Sequence, residues 1–214
     1  MAKEISKSPS VEPRKKPLQH RSANTIEKIL DGAALLIAES GFERLTTNAI
    51  CARVGMTPPA LYRYFPNKYA VMKALAERLM AVQNQHLLDW CQTGFDFESY
   101  DESLRIMLAG QYKVTDRQIA GHMIMRTLHA VPILSEVRFT SHEHVTDILT
   151  DLYAAHLPHI EPMRLRRITR MSVEIGHAML EYLGDVPDAD HDTVIADAAN
   201  IMRLQFTALK NETR

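Results

Sequence analysis

Leu45-Thr46-Thr47-Asn48-Ala49-Ile50-Cys51-Ala52-Arg53-Val54-Gly55-Met56-Thr57-Pro58-Pro59-Ala60-Leu61-Tyr62-Arg63-Tyr64-Phe65 is the stretch that decides the fold. Thr46 and Thr47 are both good N-caps, because a side-chain oxygen there can accept a free amide of the first turn. Ile50 and Val54 lie four apart and mark one buried face. Gly55 supplies the left-handed residue that ends a helix. Thr57-Pro58 then opens another: proline suits the first helical position and holds the preceding residue extended. The second helix is short, about Pro58 to Tyr64, with Leu61 and Phe65 inward. A short helix, a tight glycine turn and a second short helix make a helix-turn-helix.

The outward residues of the second helix sharpen this reading. Thr57, Ala60, Tyr62, Arg63 and Tyr64 are small, hydroxylated, aromatic or cationic, and such groups approach phosphates or base edges. No Asp or Glu occurs from Arg44 through Lys68, whereas a merely solvated face usually mixes signs.

Working upstream, Ile26, Ile29, Leu30, Ala33 and Ile37 repeat at helical spacing. Asn24 and Glu27 have capping-box spacing, which predicts a start near Ser22 to Asn24, and Gly41 predicts the stop. Residues 1–21 are rich in Lys, Ser and Pro and read as a disordered arm, either a plain tail or a strand of phosphate contacts. Downstream, Pro66-Asn67 starts a long helix striped by Val71, Leu75, Leu79 and Val82. The chain stays helical to its end, with breaks near residues 92–98, at Leu157-Pro158 and near 184–190. The reading is all-α with about nine helices: an arm (1–21), a helix-turn-helix head (22–68) and a helical body (69–214).

Charge follows the same division. The net charge is −1, yet residues 1–70 hold eleven Lys or Arg against six Asp or Glu, leaving fourteen against twenty for the rest. A basic head on an acidic body fits a protein that meets nucleic acid at one end. No long uninterrupted apolar stretch predicts a membrane span, and the polar N-terminus lacks a secretion signal, so a cytoplasmic protein is expected. Cys51 and Cys91 read as reduced, buried thiols.

The run Leu61-Tyr62-x-Tyr64-Phe65-x-x-Lys68, with the Gly55 turn and the Thr46-Thr47 pair before it, resembles the DNA-binding head of the TetR (tetracycline repressor-like) family over roughly residues 22–75. The resemblance implies a homodimer whose last two helices pair, two heads in successive major grooves of a near-palindromic double-stranded operator, and release by a small-molecule effector bound in the body. It also implies site roles. Thr46 or Thr47 takes a phosphate, Thr57, Pro58, Ala60, Tyr62, Arg63 and Tyr64 form the recognition surface, and Lys68 takes a second phosphate. One departure is Pro59, where the family often has glycine or another small residue. Proline there removes a backbone N–H.

In the body, Trp90, Tyr112, Met123, Arg126, Phe139, Tyr153 and Met171 are candidates to line an apolar pocket, although each also fits an ordinary core and Arg126 fits a solvent-facing position. Met171, Ile175, Ala178, Met179 and Tyr182, with Ile195, Ala198, Met202 and Phe206, form stripes wide enough for a dimer interface. A hairpin packed within one subunit gives the same pattern. Of ten histidines, the densest group is His142, His144, His156, His159 and His177. Residues two apart do not share a helix face, and no zinc spacing, phosphate loop or nucleophile–base pair accompanies them. No metal, cofactor or catalytic residue is therefore expected. The function expected is a repressor released from a near-palindromic operator by a small apolar or amphipathic ligand. The alternatives are an activator, a ligand-independent regulator and, from other classes, a helical metal-binding protein, enzyme or protein adaptor.

Overall fold

The computed structural model describes residues 20–212. The described chain is helical and contains no strand: α1 His20–Ser40, α2 Thr47–Val54, α3 Pro58–Tyr62, α4 Lys68–Thr93, α5 Tyr100–Asp116, α6 Gly121–Ala130, α7 Ser135–Ala154, α8 Pro162–Asp185 and α9 His191–Lys210. A single 3-10 turn, Pro132–Leu134, precedes α7. The all-α expectation holds. The arm expected over residues 1–21 lies outside the described residues, except that His20 and Arg21 already belong to α1. Asn24 therefore sits inside a helix and is not its cap.

The chain divides into two compact units. Unit 1 holds the described residues through Leu79 together with Ile119–Val137, so α6 joins the first three helices and the start of α4. Its core is built from Ile29, Ala33, Ala34 and Ile37 of α1, Ile50 of α2 and Leu61 of α3, all completely buried, with Phe65 and Leu75 nearly so. Each large apolar side chain buried this way contributes about 1.5–3 kcal/mol. Gly41 (φ 78°) ends α1, its N–H donating to Ile37 O at 2.8 Å. The α1–α2 contact is close: a Cβ on Gly32 would stand 2.4 Å from Val54 Cγ1. On the solvent side Arg53 of α2 donates to Glu39 of α1 at 2.8 Å, and Arg78 of α4 donates to Glu27 and Asp31 of α1.

Unit 2 comprises the rest of α4, α5, most of α7, and α8 and α9. Within it α9 packs on α5 and α8. Glu161 caps α8, accepting from the amides of Met163 and Arg164, and Asp190 caps α9 by accepting from Thr193 N. An aromatic cluster surrounds the buried Trp90, whose Nε1 donates to Ser103 O at 3.1 Å. Phe95 meets Trp90 edge-on at 5.3 Å, and Tyr153 lies 4.4 Å from Phe206. Cys51 and Cys91 are both free thiols, and Cys91 is only half-buried, not buried as the sequence suggested. No described helix is long and apolar enough to cross a membrane.

Candidate nucleic-acid interface and body cavity

The surface begins with the turn chemistry of α2 and α3. Thr46 adopts an extended backbone (φ −133°, ψ 153°) and its Oγ1 accepts from Ala49 N at 3.1 Å. Gly55 (φ 65°) stops α2, as its lack of a Cβ permits. Thr57 (φ −82°, ψ 148°) caps α3 through its carbonyl alone, which accepts from Ala60 N and Leu61 N. Its hydroxyl makes no capping bond. Pro58 and Pro59 fill the first two helical positions, and α3 is five residues long. Leu61 and Phe65 anchor it from beneath, being 0 % and 1 % exposed.

What this leaves outside is a face of Thr46, Thr57, Pro58, Tyr62 and Arg63, all exposed, with Thr47, Ala60, Tyr64 and Lys68 half-buried around them. Thr47 Oγ1 and Tyr62 OH are 3.0 Å apart and hydrogen-bonded, which ties α3 to the start of α2. Lys68 is more constrained than sequence suggested. Its Nζ donates to Phe42 O at 3.3 Å and lies 4.5 Å over the Phe42 ring, so it also braces the turn after α1. The nine residues expected at the DNA-binding surface thus sit on α2, α3, the first position of α4 and the turns between them within unit 1.

Unit 2 contains a cavity with about 570 Å³ of atom-free space, part of it open at its mouth. Leu104, Leu108, Leu149, Leu180 and Met202 supply apolar wall, and Gln83, Gln111 and His177 supply polar groups. Gly176 opens it locally, since a Cβ there would already touch Met202 Cε at 3.4 Å. Tyr100 OH and Tyr153 OH meet 3.3 Å apart in its wall. Burial raises both phenol pKa values well above the ordinary tyrosine value; their shared hydrogen bond opposes this slightly at Tyr100 and adds to it at Tyr153, so both stay neutral.

Of the seven sequence-expected pocket residues, only Tyr153 lines this cavity. The other six lie elsewhere. Trp90 is turned into the aromatic cluster, and Tyr112 packs on His191 at 4.7 Å. Met123 and Arg126 belong to α6 in unit 1, where they border a shallow groove with Gly41 and Phe42. Phe139 and Met171 are 48 % and 51 % exposed. Helical spacing showed that these positions face something, not what they face. Gln83 and Gln111 were missed, although Gln83 interrupts the apolar stripe Leu79–Leu87 at four-residue spacing, the one sequence signal available.

The interface stripes separate similarly. Met179, Ile195, Ala198, Met202 and Phe206 are at most 6 % exposed and belong to the core of their own subunit. Met171 and Tyr182 are about half exposed and Ala178 is exposed, with Ile175 intermediate. Ile201 (51 %) and Leu204 (54 %) extend the outward apolar set onto α9.

Of the histidine group, His142 is completely buried between α7 and α8, its Nδ1 3.0 Å from Glu174 Oε1 and its ring 3.9 Å from that of His177. Burial lowers the His142 pKa, with the Glu174 hydrogen bond opposing. Burial alone would raise the Glu174 pKa, but His142, Arg170 and Arg138 together hold it low. Among the described residues no cluster of three or more His, Cys, Asp or Glu could hold a metal.

Comparison with known proteins gives a consistent picture of the head and the fold. The family profile described as "Bacterial regulatory proteins, tetR family" matches residues 29–75. The nucleoid occlusion factor SlmA of Actinobacillus pleuropneumoniae is 38% identical over 71 residues, 33% of this chain and 34% of that protein. The tetracycline repressor protein class C of Escherichia coli is 38% identical over 60 residues, 28% of this chain and 27% of that protein. The chain thus matches about a third of the length of such relatives. Over most of its length it has the fold of the fatty acid degradation regulator FadR from Bacillus halodurans, with TM-score 0.67, 16% identity, and 88% and 96% of the two chains covered.

Proposed function

We propose, from a head over residues 29–75 that belongs to the tetR family of bacterial regulatory proteins, that this protein is a homodimeric, sequence-specific DNA-binding transcriptional regulator released from its operator by a small molecule. One observation carries the reading: a solvent-facing set of hydroxyl, aromatic and cationic side chains on α2 and α3, over a stretch without a single carboxylate. Phosphates along the backbone meet Thr46, Thr47 and Lys68, and these contacts supply affinity that falls steeply with salt. Arg63 is the side chain suited to guanine in the major groove, at about 1–3 kcal/mol of discrimination. The Tyr62–Thr47 bond favours α3 arriving at the groove already held against α2.

Dimerisation is supported by the outward apolar side chains of α8 and α9, Met171, Tyr182, Ile201 and Leu204, which a second copy would cover. Two such heads suit half-sites about 34–36 Å apart, or multiples of it. The unit 2 cavity supports an effector site. A molecule that binds better to a DNA-incompetent arrangement draws the population toward it by its differential affinity.

The test is selection of bound duplexes from random DNA by the purified full-length protein. Enrichment of one near-palindrome, lost in a Tyr62→Ala, Arg63→Ala double variant that keeps its helical content, is the expected result. A folded dimer that enriches nothing at low salt would overturn the reading.

A further inference from the structure

The cavity of unit 2 is lined without a single Asp, Glu, Lys or Arg. Its titratable lining groups are Tyr100, Tyr153 and His177, and the two phenols face each other at 3.3 Å. The carboxylate beside the lining residue Val173 is engaged elsewhere. Glu174, two residues before Gly176, accepts from Arg170 at 2.5 Å and from Arg138 at 3.4 Å, and pairs with His142. An ionic headgroup entering this space would lose its hydration with no Asp, Glu, Lys or Arg of the wall to meet it, which is strongly unfavourable in a low-dielectric interior.

The wall does hold an unmatched acceptor. Gln111 is half-buried, and its amide nitrogen donates to Gln83 O at 3.3 Å. Its carbonyl oxygen Oε1 is shielded from solvent and accepts no hydrogen bond. A buried acceptor without a donor is costly, and a ligand that brings the donor recovers that cost on binding. On the opposite count, the leucine side chains and Met202 offer nothing polar, so the remainder of the occupant must be apolar.

We infer that this cavity takes an uncharged, largely apolar molecule carrying a hydrogen-bond donor such as a hydroxyl or primary amide, bound with that donor on Gln111. The inference rests on reading unit 2 as the effector-sensing part, but concerns the chemistry of the site alone. The occupant belongs to neither the fatty-acid-like anions nor the amphipathic cations, because the wall offers no Asp, Glu, Lys or Arg to pair with either.

Calorimetric titration of the full-length protein with octanol and decanol, and with octanoate and octylammonium at neutral pH, tests it. The alcohols are expected to bind at least about tenfold more tightly than either ion. Gln111→Leu, near in size, is expected to weaken alcohol binding about fivefold while leaving helical content unchanged. Gly176→Leu, which fills the space beside Met202, is expected to abolish binding of every probe. Ions that bind as well as the alcohols, alcohols that do not bind, or alcohol binding indifferent to Gln111→Leu would each overturn the inference. Operator affinity measured alongside separates the two readings. Gln111-dependent alcohol binding that leaves DNA affinity unchanged upholds the site chemistry and refutes the effector role, whereas DNA selection succeeds or fails independently of the probes.

Discussion

Adding one methyl group at Gly32 tests the close packing of α1 on α2. The Cβ of Gly32→Ala would stand 2.4 Å from Val54 Cγ1, whereas carbon atoms rest at about 3.5–4.0 Å. Relief requires the two helices to part by about 1 Å or Val54 to leave its rotamer, and overpacking of this kind costs about 1–3 kcal/mol. Alanine in a helix interior returns up to about 1 kcal/mol relative to glycine. The net expectation is a head destabilised by about 1–2 kcal/mol, with α2 and α3 displaced and DNA affinity reduced. Val54→Ala deletes the atom that is struck, so the double variant is expected to be more stable than the sum of the single effects by about 1 kcal/mol. The only tryptophan, Trp90, lies in unit 2, so intrinsic fluorescence does not follow the head. Hydrogen exchange on peptides from residues 26–65 does. Gly32→Ala protein with undiminished protection there and unchanged DNA affinity would refute the packing argument.

Three further outcomes follow from the geometry. Thr46→Ala removes the acceptor for Ala49 N and is expected to cost about 1 kcal/mol, seen as faster exchange in α2. Arg63→Ala is expected to lose about 1–3 kcal/mol of operator affinity and to relax preference at one base pair per half-site, as read by binding to a panel of single-pair variants. His142 is held neutral by burial, against the pull of Glu174. Because its folded pKa is depressed, the stability it contributes is complete above the ordinary value of 6.5 and is lost as pH falls below it, where the unfolded chain takes up the proton first. Chemical denaturation across pH should show that acid loss in the parent and a flatter profile in His142→Gln.

The head was legible because its signals are local. Gly41 and Gly55 both take positive φ, Thr46 caps α2 as its side chain allows, and Leu61 and Phe65 go inward as their four-residue spacing requires. The start of α1 was not legible, since a capping-box spacing at Asn24 is also compatible with a position inside a longer helix. The body resisted for a different reason. Periodicity identifies a buried face but not what buries it, so Trp90 and Phe206 read alike as pocket, core or interface. Contacts between distant helices decide among these, and they turn Trp90 to Ser103 and Phe206 to Tyr153. Gln111 acquires meaning only when the cavity beside it is known.

The paired prolines at the start of α3 have a consequence for how specificity can change. An α-helix normally offers four unbonded amides at its N-terminus, and Pro58 and Pro59 withhold two of them. Backbone recognition at this point is correspondingly poor, and on the function proposed above, discrimination passes to the side chains of Ala60, Tyr62, Arg63 and Tyr64. Ala60, Arg63 and Tyr64 can be exchanged while Leu61, Phe65 and the Tyr62–Thr47 bond keep the mount unchanged. On that function the head is a fixed socket with a replaceable reading tip, and redirecting it to a new DNA site takes a few substitutions with no refolding of its scaffold.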